Sequence, residues 1–385
     1  MVIDELYDRL RRFPDVEAPN LFAVDGADRL LLDEAAPALE SAAPGAIVVV
    51  DDQYGALTLG AAVRFGAERI RVHQDSVVAE RALAANAERE DLTDRYRSCG
   101  LDADLLAGAR VVLLRLPRSL SALTEIAEIV ARHADPEVVV FAGGRDKHIS
   151  LAMNDVLAAS FAEVRASRGR QKSRVLTARR ATPGPASYPV RERLDELGLT
   201  VVAHGAAFAG PRLDIGTRFL LDFFPRLDFP RLDFPRNDTD EQIAVDLGCG
   251  TGILAAMLAR QLPDVRVIAT DHSAAAVASA AETAAANGLA DRIDTLRDDA
   301  ASSIAAGSVD LVVCNPPFHI GAAVHTGAAH KMFDAAARIL RPGGQMWTVY
   351  NRHLDYRSAL SGIVGSTRVE GRNRKFTVTR SVRSR

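Results

Sequence analysis

The chain has 385 residues, 48% hydrophobic and 25% charged, the make-up of a globular protein with length for two domains. A formal net charge of −3 gives no global attraction to nucleic acid, so any such contact must rest on local patches. The acidic start Met1–Glu5 lacks a secretory pattern, no uncharged apolar run is long enough for a bilayer, and Cys99, Cys249 and Cys314 lack metal-ligand spacing, so a cytoplasmic, metal-free, disulfide-free protein is expected.

Helix and strand patterns alternate along the chain, which predicts α/β architecture with mostly parallel sheets. In the first half, the segment Arg165–Arg180 carries seven cations and no acid: Arg165, Arg168, Arg170, Lys172, Arg174, Arg179 and Arg180. Such a run lays a local patch for phosphates, with Arg168, Arg170, Lys172 and Arg174 as the candidate RNA-binding residues, although charge runs are commonly only solvated faces. Three prolines within Thr182–Pro189 exclude a regular helix and mark a boundary, giving expected domains of 1–185 and 186–385. Next comes a five-residue repeat, Phe224-Pro225-Arg226-Leu227-Asp228, copied at Phe229–Asp233 and less faithfully at Phe234–Asp238. A proline in each copy excludes a central strand, and an exposed extended loop is expected.

The second half carries the chemistry. Ile243–Leu247 reads as a short buried strand with Asp246 near its end, followed by Gly248-Cys249-Gly250-Thr251-Gly252 and a helical run to Leu262. Glycines at such a turn let the backbone bend tightly and approach a nucleoside. The pattern is G-x-G-x-G and differs from the pyrophosphate-binding G-x-G-x-x-G, which disfavours a dinucleotide. The next strand, Val265–Thr270, ends in Asp271, an acid placed to accept from ribose hydroxyls. A third strand, Ile293–Arg297, leads to Asp298 and Asp299, where Asp299 is the candidate acceptor for an adenine amino group and a helix-capping role is the competing reading.

Leu311–Cys314 reads as a buried strand, and Asn315-Pro316-Pro317-Phe318 follows it at the carboxyl end, where open parallel sheets bind ligands. A conjugated amino group is a poor nucleophile because its lone pair is delocalised. Acceptors around its N–H bonds, here the Asn315 oxygen and the Pro316 carbonyl, draw the nitrogen toward tetrahedral geometry. Tandem prolines fix the backbone that aims the carbonyl, and Phe318 offers a stacking face. His319 and His325 receive no catalytic role.

Val245–Gly252 with Asn315–His319 resembles the class I S-adenosylmethionine-dependent methyltransferases that modify planar amino groups. The two-half layout resembles the ribosomal RNA guanine-N2 methyltransferases, which pair a degenerate N-terminal domain with an active C-terminal one. Leu213–Phe219 is similar to that family's pre-motif segment, and Asn351–Tyr356 is closer to the large-subunit (G) type than to the small-subunit (C) type. The resemblance implies two tandem Rossmann-like domains and S-adenosylmethionine as cofactor, held by Asp246, Gly248, Gly250, Gly252, Asp271 and Asp299. It implies transfer of methyl groups to guanine N2 in ribosomal RNA, and the chain is expected to act as a monomer. A methyltransferase for adenine N6 or protein glutamine, or a non-catalytic RNA-binding factor, stays open as an alternative.

The halves also resemble each other. Val49–Leu57 lines up with Asp246–Leu254 and Arg71–Ser76 with Ile268–Ser273 at one offset, and Arg115–Arg118 falls opposite Asn315–Phe318. In the first copy Asp51 and Gln53 replace Gly248 and Gly250, Gln74 replaces Asp271, and the Asn-Pro-Pro-Phe element is gone. That copy is expected to be inactive, with a structural or substrate-binding role. The strand pattern around Phe376-Thr377-Val378 suggests a closing antiparallel edge, and the basic stretch Arg368–Arg385 is a second candidate RNA patch.

Overall fold

The computed structural model describes residues 2–227, 241–317 and 327–384. The chain divides into two compact units, Met1–Tyr188 and Pro189–Arg385.

In the first unit, strands β1 (Ile47–Val50), β2 (Ile70–His73), β3 (Tyr96–Ser98), β4 (Val111–Arg115), β5 (Val139–Arg145), β6 (Phe161–Ala166) and β7 (Ser173–Ala181) form one sheet in the order 3-2-1-4-5-7-6. Five strands are parallel, and the hairpin β6–β7 adds an antiparallel edge through β5–β7 pairing. Helices α1 (Ile3–Arg9), α2 (Gly26–Glu40), α3 (Thr58–Phe65), α4 (Val77–Arg89), α5 (Ala103–Leu106), α6 (Leu120–His133) and α7 (Leu151–Ala158) connect and flank them. The Ile-Val-Val-Val run of β1 is wholly buried, as a central parallel strand covered on both faces requires. Helix α2 starts in a capping box, with the Asp25 carboxylate accepting from the Ala27 and Asp28 amides and Asp28 returning a bond to the Asp25 amide.

The second unit opens with the hairpin β8 (Val190–Leu194) and β9 (Leu199–Ala203), then repeats the first topology. Strands β10 (Gln242–Leu247), β11 (Val265–Asp271), β12 (Ile293–Arg297), β13 (Val309–Cys314), β14 (Leu340–Asn351), β15 (Gly365–Arg372) and β16 (Phe376–Arg383) stand in the order 12-11-10-13-14-16-15, the same permutation. Helices α8 (Ile215–Leu221), α9 (Ile253–Gln261), α10 (Ala274–Ala286), α11 (Gly327–Ile339) and α12 (Arg357–Ile363) accompany them. Helix α10 is mostly alanine, so its neighbours approach closely. Its polar side chains satisfy the free edge of β9, with Thr283 Oγ1 accepting from the Val202 amide at 3.0 Å and Ser279 Oγ from the His204 amide at 2.9 Å.

The five-residue repeat departs from its expected exposed conformation in the described first copy. Phe224–Arg226 forms a 3₁₀ turn, and Phe224 and Leu227 are buried in the core cluster with Leu220 and Leu254. Proline is tolerated at the start of such a turn, and the aromatic side chain gains by leaving water. Asp228 and the other two copies lie outside the described residues. Among the described residues, no helix is long and apolar enough to cross a membrane, and no His, Cys, Asp and Glu group could hold a metal.

Candidate active site

Parallel pairing of β10 with β11 and β13 sets Leu247 beside Thr270 and Cys314. It therefore brings the carboxyl ends bearing Asp246, Asp271 and Asn315 to one edge of the sheet, the edge where a right-handed α/β fold leaves a crevice. At the tip of β10 the chain turns through Gly248, Gly250 and Gly252 with φ of 80°, 52° and 77°, a region other residues rarely adopt. Gly252 is also required sterically, because a Cβ there would sit 2.9 Å from the Ala280 Cα of α10. A Cβ on Gly250 would meet nothing within 4 Å, so open space lies in front of the loop at its centre.

Asp246 is fully buried. Its Oδ2 accepts from the Ala255 amide in the first turn of α9 at 2.9 Å, while Oδ1 is buried with no hydrogen-bond partner among the described residues. Burial drives its pKa up to about 7, and the nearby Asp271 charge adds to the rise. Asp271 accepts from the Gly250 amide at 3.1 Å and from the Ser273 amide at 3.0 Å, so it fixes the glycine loop against the start of α10 and keeps lone pairs for a ligand. Asp298 caps the turn that follows β12, accepting from Ser302 Oγ and from both Ser303 donors. Asp299 is held by Lys331 Nζ at 2.5 Å, so its carboxylate already has a cationic partner.

At the end of β13, the Asn315 amide nitrogen donates to Asp214 Oδ2 at 3.1 Å and Thr217 Oγ1 at 3.0 Å. Asp214 is the N-cap of α8, its carboxylate also accepting from the Gly216 and Thr217 amides at 2.8 and 3.1 Å. An ionised carboxylate only accepts, so this contact fixes which way the Asn315 amide points. Its oxygen is thereby left as a buried acceptor without a partner among the described residues. Pro316 is buried and Pro317 exposed, while Phe318, His319 and His325 lie outside the described residues. Asp214 and Thr217 lie in the Leu213–Phe219 segment that the sequence singles out, but the sequence assigns neither of them a place at the site. An acid before a helical run signals a cap, but its pairing with a residue 101 positions away has no sequence signature.

The first unit fills the matching places with its own side chains. Arg115, opposite Asn315, makes ion pairs with the α2 cap Asp25 at 2.9 Å and with Asp28 at 2.7 Å. Asp25 and Asp28 stand at α2 as Asp214 and Thr217 stand at α8. Val49 occupies the place of Asp246, and the α3 start is capped instead from the loop, where the buried Asp52 accepts from the Gly55, Leu57 and Thr58 amides. Gln74 donates to the Asp52 carbonyl. Asp51 keeps the left-handed backbone of its counterpart Gly248 at φ 60°, and burial raises its carboxyl to about 6.

The basic segment forms most of the hairpin β6–β7 and its turn. Acids outside the run Arg165–Arg180 partner several of its cations. Arg170 pairs with Asp33, Arg174 with Asp146 at 3.5 Å, and Arg180 with Glu163 at 3.2 Å. Arg168 and Lys172 are exposed and have no ion-pair partner among the described residues.

Two family models cover the two units: an RLMG N-terminal domain matches residues 3–182, and a methyltransferase small domain matches residues 198–380. The chain is similar to ribosomal RNA large subunit methyltransferase G of Streptomyces avermitilis, 34% identical over 97% of this chain and 96% of that one. It is similar to the proteins of the same name from Shewanella amazonensis (32%, covering 97% of this chain and 96% of that one) and Stutzerimonas stutzeri (33%, covering 100% of both). In fold it is similar to a T. thermophilus 16S rRNA N2 G1207 methyltransferase solved with AdoMet and guanosine, with a TM-score of 0.72 over 99% of both chains at 22% identity.

Proposed function

This chain belongs to the ribosomal RNA large subunit methyltransferase G family, and from that membership we propose how its residues carry out methyl transfer to the exocyclic N2 of a guanine in ribosomal RNA. The chain is an S-adenosylmethionine-dependent methyltransferase with two class I methyltransferase folds. The observation that carries the reading is the buried, unpartnered Asn315 oxygen at the carboxyl edge, in a chain whose glycine loop has open space in front of it.

The cofactor fits the residues present. Gly248, Gly250 and Gly252 form a loop whose backbone a nucleoside can approach, Asp271 keeps acceptor capacity for ribose hydroxyls, and the orphaned Asp246 Oδ1 is a buried acceptor for an amine. Asp299 takes the adenine amino group only if it shares its carboxylate with Lys331. S-adenosylmethionine, when bound, supplies an electrophilic methyl group on sulfur.

The protein's contribution is positioning and electrostatics. The Asn315 oxygen and the Pro316 carbonyl would accept from the target amino group, drawing its nitrogen toward tetrahedral geometry and freeing the lone pair that the cofactor's methyl group would take up. The proton leaves the nitrogen afterwards, so no side chain needs a matched pKa. Pro317 stiffens the turn, and Phe318 provides the stacking face for the base. A paired base hides its amino group, so an unpaired or flipped guanine is the form taken. The first unit is catalytically silent, and Arg168, Arg170, Lys172 and Arg174 are its contribution to RNA binding.

The test is methyl transfer from labelled S-adenosylmethionine to ribosomal RNA by the wild-type chain and by Asn315→Ala. N2-methylguanosine formed by the first and lost with the second supports the reading. A different methylated product overturns the assignment of the target atom.

A further inference from the structure

The carboxyl edge of the second sheet holds more than the glycine loop and Asn315. Strand β14 ends at Asn351, directly opposite Phe376, the first residue of antiparallel β16. The turn joining β15 to β16, Asn373-Arg374-Lys375, therefore stands at that same edge. It is tightly built. The Asn373 side chain accepts from the Lys375 and Phe376 amides at 2.8 and 2.7 Å, and the Arg352 amide donates to the Lys375 carbonyl at 2.8 Å. Phe376 is buried, and its ring shares a neighbour with the catalytic amide: a Cβ on Gly216 would lie 3.4 Å from Phe376 Cε1 and 3.3 Å from Asn315 Oδ1. The turn thus adjoins the mouth of the site.

Four cations stand on this turn or beside it: Arg352, Arg372, Arg374 and Lys375 are all exposed, and none has an ion-pair partner among the described residues. Nearby Glu370 is engaged by Arg226 at 2.6 Å and Arg380 at 3.2 Å, which leaves Asp355 as the one acid on the adjoining Arg352–Asp355 turn. Holding like charges on one rigid turn gains nothing for folding and produces a field that an anion would satisfy. The backbone contact recurs in the first unit, where the Asp146 amide donates to the Lys172 carbonyl at 2.9 Å, but there the place of Arg352 is taken by an acid, Asp146, ion-paired with Arg174.

We propose that Arg352, Arg372, Arg374 and Lys375 form a phosphate grip that holds the RNA backbone on either side of the base presented to Asn315. The proposal rests on the reading of the chain as an RNA methyltransferase. A phosphodiester chain is the occupant that matches several cations on a short arc beside a pocket for one base. Contacts to phosphates fix the register of the strand without reading its sequence. They also supply favourable free energy against which a base can be unstacked.

The test uses the full chain and ribosomal RNA from cells lacking its gene, with binding measured across a salt series. Arg374→Gln combined with Lys375→Gln should raise the dissociation constant roughly tenfold and flatten the slope of log K against log salt by about 1.4, from about 0.7 per phosphate lost on a single strand. Affinity for S-adenosylmethionine should be unchanged, and the charge-keeping exchange Arg374→Lys with Lys375→Arg should restore the slope. An unaltered slope in the glutamine variant, in a wild-type chain that methylates the RNA, overturns the grip alone. So does a loss that the charge-keeping exchange fails to restore. A wild-type chain that neither binds nor methylates the RNA overturns the function and the grip together.

Discussion

Asn315 donates to Asp214 across 3.1 Å, and this contact decides that the oxygen of the Asn315 amide is the atom left without a partner among the described residues. The first unit shows what happens when that relationship changes. There Arg115 meets the equivalent cap, Asp25, at 2.9 Å, and a guanidinium with no acceptor atom replaces the amide oxygen.

Thr217 is the second acceptor for the Asn315 amide, at 3.0 Å, and in the proposed mechanism its effect on the rate runs through Asn315. Thr217→Val keeps the shape and removes the acceptor, and should lower kcat roughly tenfold with little change in KM for the cofactor. Thr217→Ser should recover most of the rate. Equal rates in the two variants would remove Thr217 from the positioning role.

Asn315→Ala should leave S-adenosylmethionine binding intact, because the glycine loop is untouched, and lower turnover by about a hundredfold or more. Steady-state kinetics beside calorimetric titration checks both halves. A parallel loss of cofactor affinity would place Asn315 in the cofactor site.

Calorimetry on the full chain should give one cofactor per chain. Gly250→Gln copies the first unit's Gln53 into a position where a Cβ meets no atom within 4 Å. The backbone strain at φ 52° costs on the order of 1 kcal/mol, and binding should fall from one site to none. Residual stoichiometric binding would reveal a working site in the first unit.

Asp246 gives a pH dependence of definite sign. Its carboxyl is raised to about 7 in the folded chain against about 3.9 when unfolded, so the native state holds a proton that the unfolded state releases. Its contribution to the stability of the ligand-free chain is therefore present at low pH and lost as pH rises from about 4 to 7, by at most about 1.4 kcal/mol per unit. Asp246→Asn cannot ionise, so its thermal midpoint should gain on the wild type as pH rises through that window. A constant difference would mean the carboxyl titrates normally. Affinity for the cofactor should fall in the same variant.

In the basic hairpin the ion pairs rank the residues. Arg170 and Arg174 share their charge with Asp33 and Asp146, whereas Arg168 and Lys172 have no such partner among the described residues. Arg168→Ala with Lys172→Ala should weaken RNA binding and its salt dependence more than Arg170→Ala with Arg174→Ala. The reverse order, measured by filter binding, would show that the pairs open to meet RNA.

Features written in local pattern were legible in the sequence: the alternating elements, the glycine turn, Asp271 at a strand tip, Asn315 after a buried strand, and the duplication itself. Features made by contacts between distant segments were not. Leu213–Phe219 and Asn315–Phe318 are each legible as segments, but nothing in them pairs Asp214 with Asn315, and two of the acids that quieten the basic hairpin come from helix α2 and the turn after β5. Asp52 takes over a cap that Asp246 supplies in the other copy, a substitution visible only when both turns are seen folded. A proline in each copy of the repeat predicts an exposed loop, yet a proline that breaks a strand also starts a tight turn, and at Pro225 that turn carries the Phe224 ring into the core.

The central claim is tested most directly by nucleoside mass spectrometry of ribosomal RNA from cells lacking this gene, complemented with the wild-type chain or with Asn315→Ala. The account predicts that one N2-methylguanosine disappears on deletion, returns with the wild-type chain and stays absent with Asn315→Ala. A full complement of N2-methylguanosine in the deleted cells, or its return with Asn315→Ala, would contradict it.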